Sequence, residues 1–446
     1  MYTKLISQFI FPLQERIKAH STVAVRRQME ASQWWPAQRL AQAKVERLRR
    51  FLASAQRAPY WADLFAKRGF APQAVNDLSC LSALPLLDKA TIRAHADAMK
   101  QPEARDLARF NTGGSSGEPL VFFIGKERVS HDVAAKWRAT RWWGVDIGDP
   151  EIVVWGSPIE LGSQDRMRAW RDRLMRTQLL PAFEMTEAKV DEFLRAIRNR
   201  RPKMLFGYPS ALSHIASHAQ ARGVLMDDLG IAVAFVTSER LYNEQREIIS
   251  RTFGCPVANG YGSRDAGFIA HECPQGSMHL TDEDLVVEIV DAQGLPVPAG
   301  ESGEIVVTHM ATQHFPFIRY RTGDVASMGT EPCACGRGLA TLREIQGRST
   351  DFVVAADGTV MHGLALIYIL RDMPEVQAFK IVQHTLQHTA VQVVPGPGFG
   401  PAQVASIIAG LQRRLGRDVR VDVQTVQAIS AEKSGKFRYV ISHVQR

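Results

Sequence analysis

Asn111-Thr-Gly-Gly-Ser-Ser-Gly-Glu-Pro-Leu120, with Val121-Phe-Phe-Ile124 directly after it, is the stretch from which the rest of the chain can be read. Three glycines and three hydroxyl residues between Thr112 and Gly117 suit neither a stable helix nor a buried strand. Glycine opens backbone conformations closed to other residues, so successive N–H groups can turn toward one concave spot. The hydroxyls of Thr112, Ser115 and Ser116 add donors around it, and the apolar run that follows would anchor the loop on a strand. A phosphate-cradling loop needs this combination; the plain alternative is a Gly/Ser surface turn. No Gly-Lys-Ser/Thr is present, so this is not a Walker loop, and the charge of a bound phosphate must be met from elsewhere.

Downstream the pattern alternates. Ile152–Trp155, Met204–Phe206 and Ile231–Val236 are short apolar runs, separated by helical spacing over 187–200, 209–222 and 243–253. Strand, helix, strand at this rhythm argues for an α/β fold with a doubly wound, mostly parallel sheet. Ligands in such sheets sit at the carboxyl ends of strands. Those ends carry Gly207-Tyr208-Pro209-Ser210, Thr237-Ser238-Glu239-Arg240 and Gly260-Tyr261-Gly262-Ser263-Arg264-Asp265. From Asp284 to Asp324 the runs read as an antiparallel subdomain, and after 347 a hairpin, two helices and further strands suggest a small α+β domain. Upstream, residues 1–100 have helical apolar spacing, with Leu40, Val45, Leu48, Phe51 and Leu52 on one face and Arg47, Arg49 and Arg50 on the other. The expected organisation is a helical layer (1–100), a nucleotide-binding core with the antiparallel subdomain (101–346), and a small mobile C-terminal domain (347–446). Trp34-Trp35-Pro36 and Pro59-Tyr60-Trp61 are expected as packing corners.

At 446 residues, two domains are the default, and 45% hydrophobic with 22% charged residues is ordinary globular composition. The net charge of +8 is scattered in arginine-bearing helix faces such as 166–176, which argues against a nucleic-acid footprint. No apolar run approaches the roughly 20 residues of a membrane span. Residues 1–20 lack a signal-peptide core and suit an amphipathic helix that packs on the body or touches a membrane surface. Five cysteines in this length make no disulfide framework, and the expected compartment is the cytoplasm.

Thr112–Pro119, Gly207–Leu212, Thr237–Leu241, Tyr261–Gly267, Arg319–Asp324, Gly347–Asp351 and Ser434-Gly435-Lys436 together resemble the AMP-forming adenylating enzymes. Within them the resemblance is closer to the phenylacetate–CoA ligase-like group, including its capsule-biosynthesis-associated subgroup and the coenzyme F390 synthetases. The resemblance implies that Thr112, Gly113, Gly114, Ser115, Ser116 and Gly117 wrap the phosphates of ATP. It implies that Ser238 and Glu239 lie beside adenine, that Tyr261 packs on the ring in the Tyr261-Gly262-Ser263 segment, and that Asp324 accepts the ribose hydroxyls. Arg348 would contact ribose or phosphate, and Lys436 would bridge the substrate carboxylate and the α-phosphate, the cation missing from the glycine loop. Asp265 stands where relatives hold Mg²⁺ with a glutamate, and Leu120 where many carry lysine. Tyr208, Pro209, Asn259 and Gly260 would line the acid pocket.

The implied activity is adenylation of a carboxylic acid, an aryl acid slightly favoured, followed by rotation of the small domain about 347–351 and transfer to a thiol, that of coenzyme A. Rival readings are an amine, hydroxyl or carrier-protein acceptor, hydroxyl adenylation of the F390 type, and a non-catalytic ATP-binding relative. The oligomeric state is open, with a homodimer as the candidate assembly.

Cys333-Ala-Cys335 is a close thiol pair, with Cys273 upstream and His271 and His279 beside it. Three cysteines and a histidine suit tetrahedral zinc. The same family group carries a similar Cys…His…Cys-x-Cys set that can hold a structural zinc. This implies Cys273, His279, Cys333 and Cys335 as ligands, with His271 as rival, pinning the antiparallel subdomain to the large domain. Cys80 and Cys255 read as inert thiols.

Overall fold

A computed structural model describes residues 1–111, 120–155, 165–182, 185, 187–343, 345, 347–348, 352–357, 360–362, 364–371, 373–429 and 439–444. It contains two compact units: residues 1–322 with 326–345, and residues 323–325 with 346–446.

The first unit is built on an eight-stranded sheet. Its order is Thr341–Leu342, Met278–Leu280, Gly267–Glu272, Val257–Ser263, Val233–Thr237, Met204–Gly207, Glu151–Trp155 and Thr177–Pro181. The five strands from Val257–Ser263 to Thr177–Pro181 run parallel, and the other three continue antiparallel. Met204–Gly207 and Val233–Thr237 are buried at every position, because they lie inside the sheet with apolar cores on both faces. The edge strand Thr177–Pro181 and the antiparallel strands 267–272, 278–280 and 341–342 are additions to the sequence reading. They are short or carry polar residues, which weakens their period-two signal.

A second, antiparallel sheet starts with Leu285–Val290 and Ser302–His309 and continues through Phe317–Ser327 to Gly347–Arg348. Helix Ala37–Ala55 buries Leu48, Phe51, Leu52 and Ala55 against this region. Full burial of each larger side chain contributes roughly 1.5–3 kcal/mol.

The arginines of that helix correct the sequence reading. Arg47 reaches the buried Asp284 at 3.0 Å, and Arg49 donates twice to the Val75 carbonyl, at 2.9 and 2.7 Å. A long arginine stem on the flank of a helix can cover apolar surface and bring its head to a buried partner. Trp61 is the expected packing corner, its indole N–H donating to the Pro316 carbonyl, whereas Trp34 is half exposed under the Arg337 guanidinium.

The second unit holds a sheet ordered Arg420–Thr425, His388–Pro395, Val376–Thr385, Val440–Ser442. Alternate residues of Val376–Thr385 are buried, so one face is covered, by Leu366, Leu370, Ile407, Leu411 and Leu415 of helices Leu364–Arg371 and Pro401–Leu415.

Candidate active site and metal centre

The parallel topology brings three of the expected loops to neighbouring strand ends. Tyr208 follows Met204–Gly207, Ser238 and Glu239 follow Val233–Thr237, and Asn259 to Ser263 close Val257–Ser263. The backbone N–H of Ser210, in the first turn of helix Pro209–Ala221, donates to Glu239 Oε2 at 3.2 Å, placing a carboxylate at a helix N-terminus. Ser238 has φ of 72°, a left-handed conformation that costs a non-glycine residue roughly 1–2 kcal/mol. Strain of this kind at a strand end is common where a backbone is shaped for a ligand. Gly262 has a packing reason as well: a Cβ there would meet the Gly267 carbonyl oxygen at 2.3 Å, across a register shift in the strand pair.

Tyr208 and Pro209 are buried, and Tyr208 stacks on Trp155 with ring centroids 4.2 Å apart and planes at 21°. Phe206 continues the stack behind Trp155, with Lys136 Nζ 3.8 Å over its face. Trp155 was not among the expected pocket residues; its place at the strand end next to Met204–Gly207 is set by sheet order, which no local motif encodes.

Asp265 is 7% exposed, and its carboxylate accepts the Tyr320 hydroxyl. Burial would raise its pKa, but hydrogen bonds from Ser263 and Tyr320, with the charge of Lys89, outweigh burial and hold it below the usual carboxylate range. One of its oxygens is already engaged by Tyr320. Arg128, also missed by the sequence reading, donates to the carbonyls of Asp265 and Arg264 at 2.7 and 2.9 Å and fixes this turn from below.

In the second unit the strand register sets Asp324 opposite Arg348. Thr112 to Gly117 and Lys436 lie outside the described residues. The flanks of the glycine loop are the paired strands Ala108–Asn111 and Val121–Ile124, with Asn111 opposite Val121.

Cys273, His279, Cys333 and Cys335 offer donor atoms that all lie within 4.8 Å of one another. Cys273 Sγ is 3.7 Å from Cys333 Sγ, and Cys335 Sγ is 3.2 Å from His279 Nε2. Both cysteine turns are closed alike. Gly276 N–H donates to the Cys273 carbonyl and Gly336 N–H to that of Cys333, each glycine with φ near +80°. His279 Nδ1 faces the Leu339 carbonyl at 3.3 Å, which assigns the proton to Nδ1 and leaves Nε2 free to bind a metal. His271 is its cross-strand neighbour but stacks on Phe268 instead, fully buried, with neither ring nitrogen hydrogen-bonded among the described residues. Burial pushes its pKa down to about 3.

The cluster joins the edge of the large sheet to the loop leaving the antiparallel sheet, a tie between neighbouring parts of one unit. Elsewhere, burial raises the thiols of Cys80 to about 11 and Cys255 to about 12, as unreactive cysteines require.

Comparison with known proteins agrees with this architecture. Residues 152–312 match the AMP-binding enzyme family, and residues 353–443 match the CapK C-terminal domain. Protein CapK of Staphylococcus aureus is 22% identical over 393 residues, 86% of this chain and 85% of its own length. A phenylacetate-coenzyme A ligase of Thermus thermophilus is 26% identical over 352 residues, 76% of this chain and 77% of its own. The crystal structure of 2-hydroxyisobutyryl-CoA ligase in the postadenylation state superposes with a TM-score of 0.73 at 20% identity, covering 92% of this chain and 91% of that one. The chain thus carries an AMP-binding enzyme segment followed by a CapK C-terminal domain, and is similar in sequence to CapK and to the phenylacetate–CoA ligases.

Proposed function

We propose that this protein activates a carboxylic acid with ATP, forming an acyl-adenylate and releasing pyrophosphate, and passes the acyl group to the thiol of coenzyme A. The observation that carries the reading is the row of polar turns 207–210, 237–241 and 259–265 at neighbouring strand ends, where α/β sheets bind ligands. In this reading Ser238, Glu239 and Tyr261 receive adenine, Asp324 and Arg348 the ribose and phosphate, Thr112–Gly117 the remaining phosphates, and Asp265 assists Mg²⁺. Lys436 balances charge as the carboxylate attacks the α-phosphate. Tyr208, Pro209, Asn259 and Gly260 border the acid, and the flat wall made by Trp155 and Tyr208 favours an aryl substrate. The four-residue Cys/His set holds a structural zinc, for which three thiolates and one imidazole are a matching donor set.

The test is ATP–pyrophosphate exchange across a panel of aryl and aliphatic acids without coenzyme A, which is then added to probe the acceptor. We expect exchange with aryl acids. Lys436→Ala should lower exchange roughly a thousandfold while sparing thioester formation from supplied adenylate. Equal loss of both steps would remove Lys436 from its role. A protein that binds ATP yet exchanges with no acid would overturn acid activation.

A further inference from the structure

A helix normally buries one apolar face and shows water a polar one. The helical path over residues 2–17 departs from this rule. Its inner face is fixed to the body: Ile6 packs on Gly148, Phe11 meets Trp137 edge to face at 5.1 Å, and Thr3 donates to Asp149. Its outer face carries Leu5, Phe9, Leu13 and Ile17, all exposed, with Phe9 at 66% and Ile17 at 78%. A four-residue repeat on a regular α-helix drifts by roughly 40° per step. Here residues 6–10 form a wider, i→i+5 turn, which counters that drift.

The same surface continues on a second helix. The Tyr2 hydroxyl donates to the Leu174 carbonyl at 2.8 Å, and the Arg176 guanidinium lies 5.4 Å from the Tyr2 ring centre. Helix Asp165–Met175 exposes Trp170, at 78%, and Leu174 one turn further on. Exposed basic residues border both stripes: Lys4, Arg16 and Lys18 on the first, Arg171 and Arg173 on the second. Glu15 is buried and takes Thr22, His20 and Lys18, and Asp172 pairs with Arg171, so two of these five cations share their charge with an acid.

We propose that these two helices form a docking surface for an anionic lipid bilayer. Exposed aliphatic and aromatic side chains, with a tryptophan among them and a basic border, match the chemistry of an interface in which apolar groups enter the acyl boundary and cations meet phosphate headgroups. A second copy of the chain fits less well, since a two-fold pairing would set one basic border against another. The docking is peripheral, as no helix among the described residues is long and apolar enough to cross a membrane.

The experiment is flotation of the full chain with phosphatidylcholine vesicles, with and without phosphatidylglycerol. We expect binding that requires phosphatidylglycerol and weakens with salt. Phe9→Glu/Leu13→Glu should lower the partition coefficient about a hundredfold. Arg171→Gln/Arg173→Gln should lower it roughly tenfold, on anionic vesicles only. Circular dichroism and pyrophosphate exchange in solution should be unchanged in both variants. No binding to anionic vesicles would overturn the proposal. So would binding that survives Phe9→Glu/Leu13→Glu, or a dimer in solution that this variant dissolves.

Discussion

The two ends of the large sheet are built for different purposes. At the parallel end, the turns 207–210, 237–241 and 259–265 are polar, and backbone strain is tolerated at Ser238. At the antiparallel end, two glycine-closed cysteine turns and His279 converge within 4.8 Å, with the imidazole oriented by the Leu339 carbonyl. Arg337 adds to this end by donating to Gln33 at 3.2 Å while lying over Trp34 and Trp142. One end gathers polar turns at neighbouring strand ends; the other draws three thiols and an imidazole onto one another. Perturbing the second should therefore cost stability, and perturbing the first should cost substrate binding.

The largest effect is expected at the closed end. The parent protein is expected to carry about one zinc per chain, and Cys335→Ala should remove it and lower unfolding stability by roughly 4 kcal/mol. Metal analysis and urea unfolding measure both. Pyrophosphate exchange lost at temperatures where the variant remains folded would break the division between the two ends.

Asp284, at the start of the antiparallel sheet, comes next. It holds His131 Nδ1 at 2.7 Å and Arg47 at 3.0 Å. Burial opposes its charge, but His131 and Arg47 outweigh burial and keep its pKa well below the ordinary value. A depressed folded pKa means the contribution is present above the unfolded-state value, about 3.9, and is lost as pH falls through the folded one. Asp284→Asn should cost about 3 kcal/mol at neutral pH, and the gap to the parent protein should narrow below about pH 4. A gap independent of pH would show that the charge is not what stabilises.

The smallest effect is expected at the open end. Tyr208→Leu keeps most of the volume and removes the stacked ring, so KM for the acid should rise roughly tenfold with kcat little changed. Unfolding stability should shift by less than about 1 kcal/mol. A large stability loss with unchanged KM would make Tyr208 a packing residue.

Much of the fold was readable in advance where periodicity and turn chemistry agree, as in the buried runs at 204–207 and 233–237 and the alternating strands 376–385 and 388–395. Strands 278–280 and 341–342 have too few residues to show a period, and they form because neighbours present unpaired edges. Of the candidate site residues, those in glycine- and serine-bearing loops could be named from sequence. Trp155, Arg128 and Tyr320 could not, since each reaches its partner across 50 or more positions of the chain.

By itself, the order of residues determined the alternation of strand and helix, the polar character of the strand-end turns, and the presence of three thiols and two candidate histidines. These are local properties, set by side-chain period, glycine content and donor type. Tertiary structure alone decided that His279 joins the thiols while His271 stacks on Phe268, and that Arg47 serves Asp284. It also left Leu5, Phe9, Leu13 and Ile17 facing outward. In each case the choice depends on which groups are brought within a few ångströms by packing, a geometry that sequence spacing does not contain.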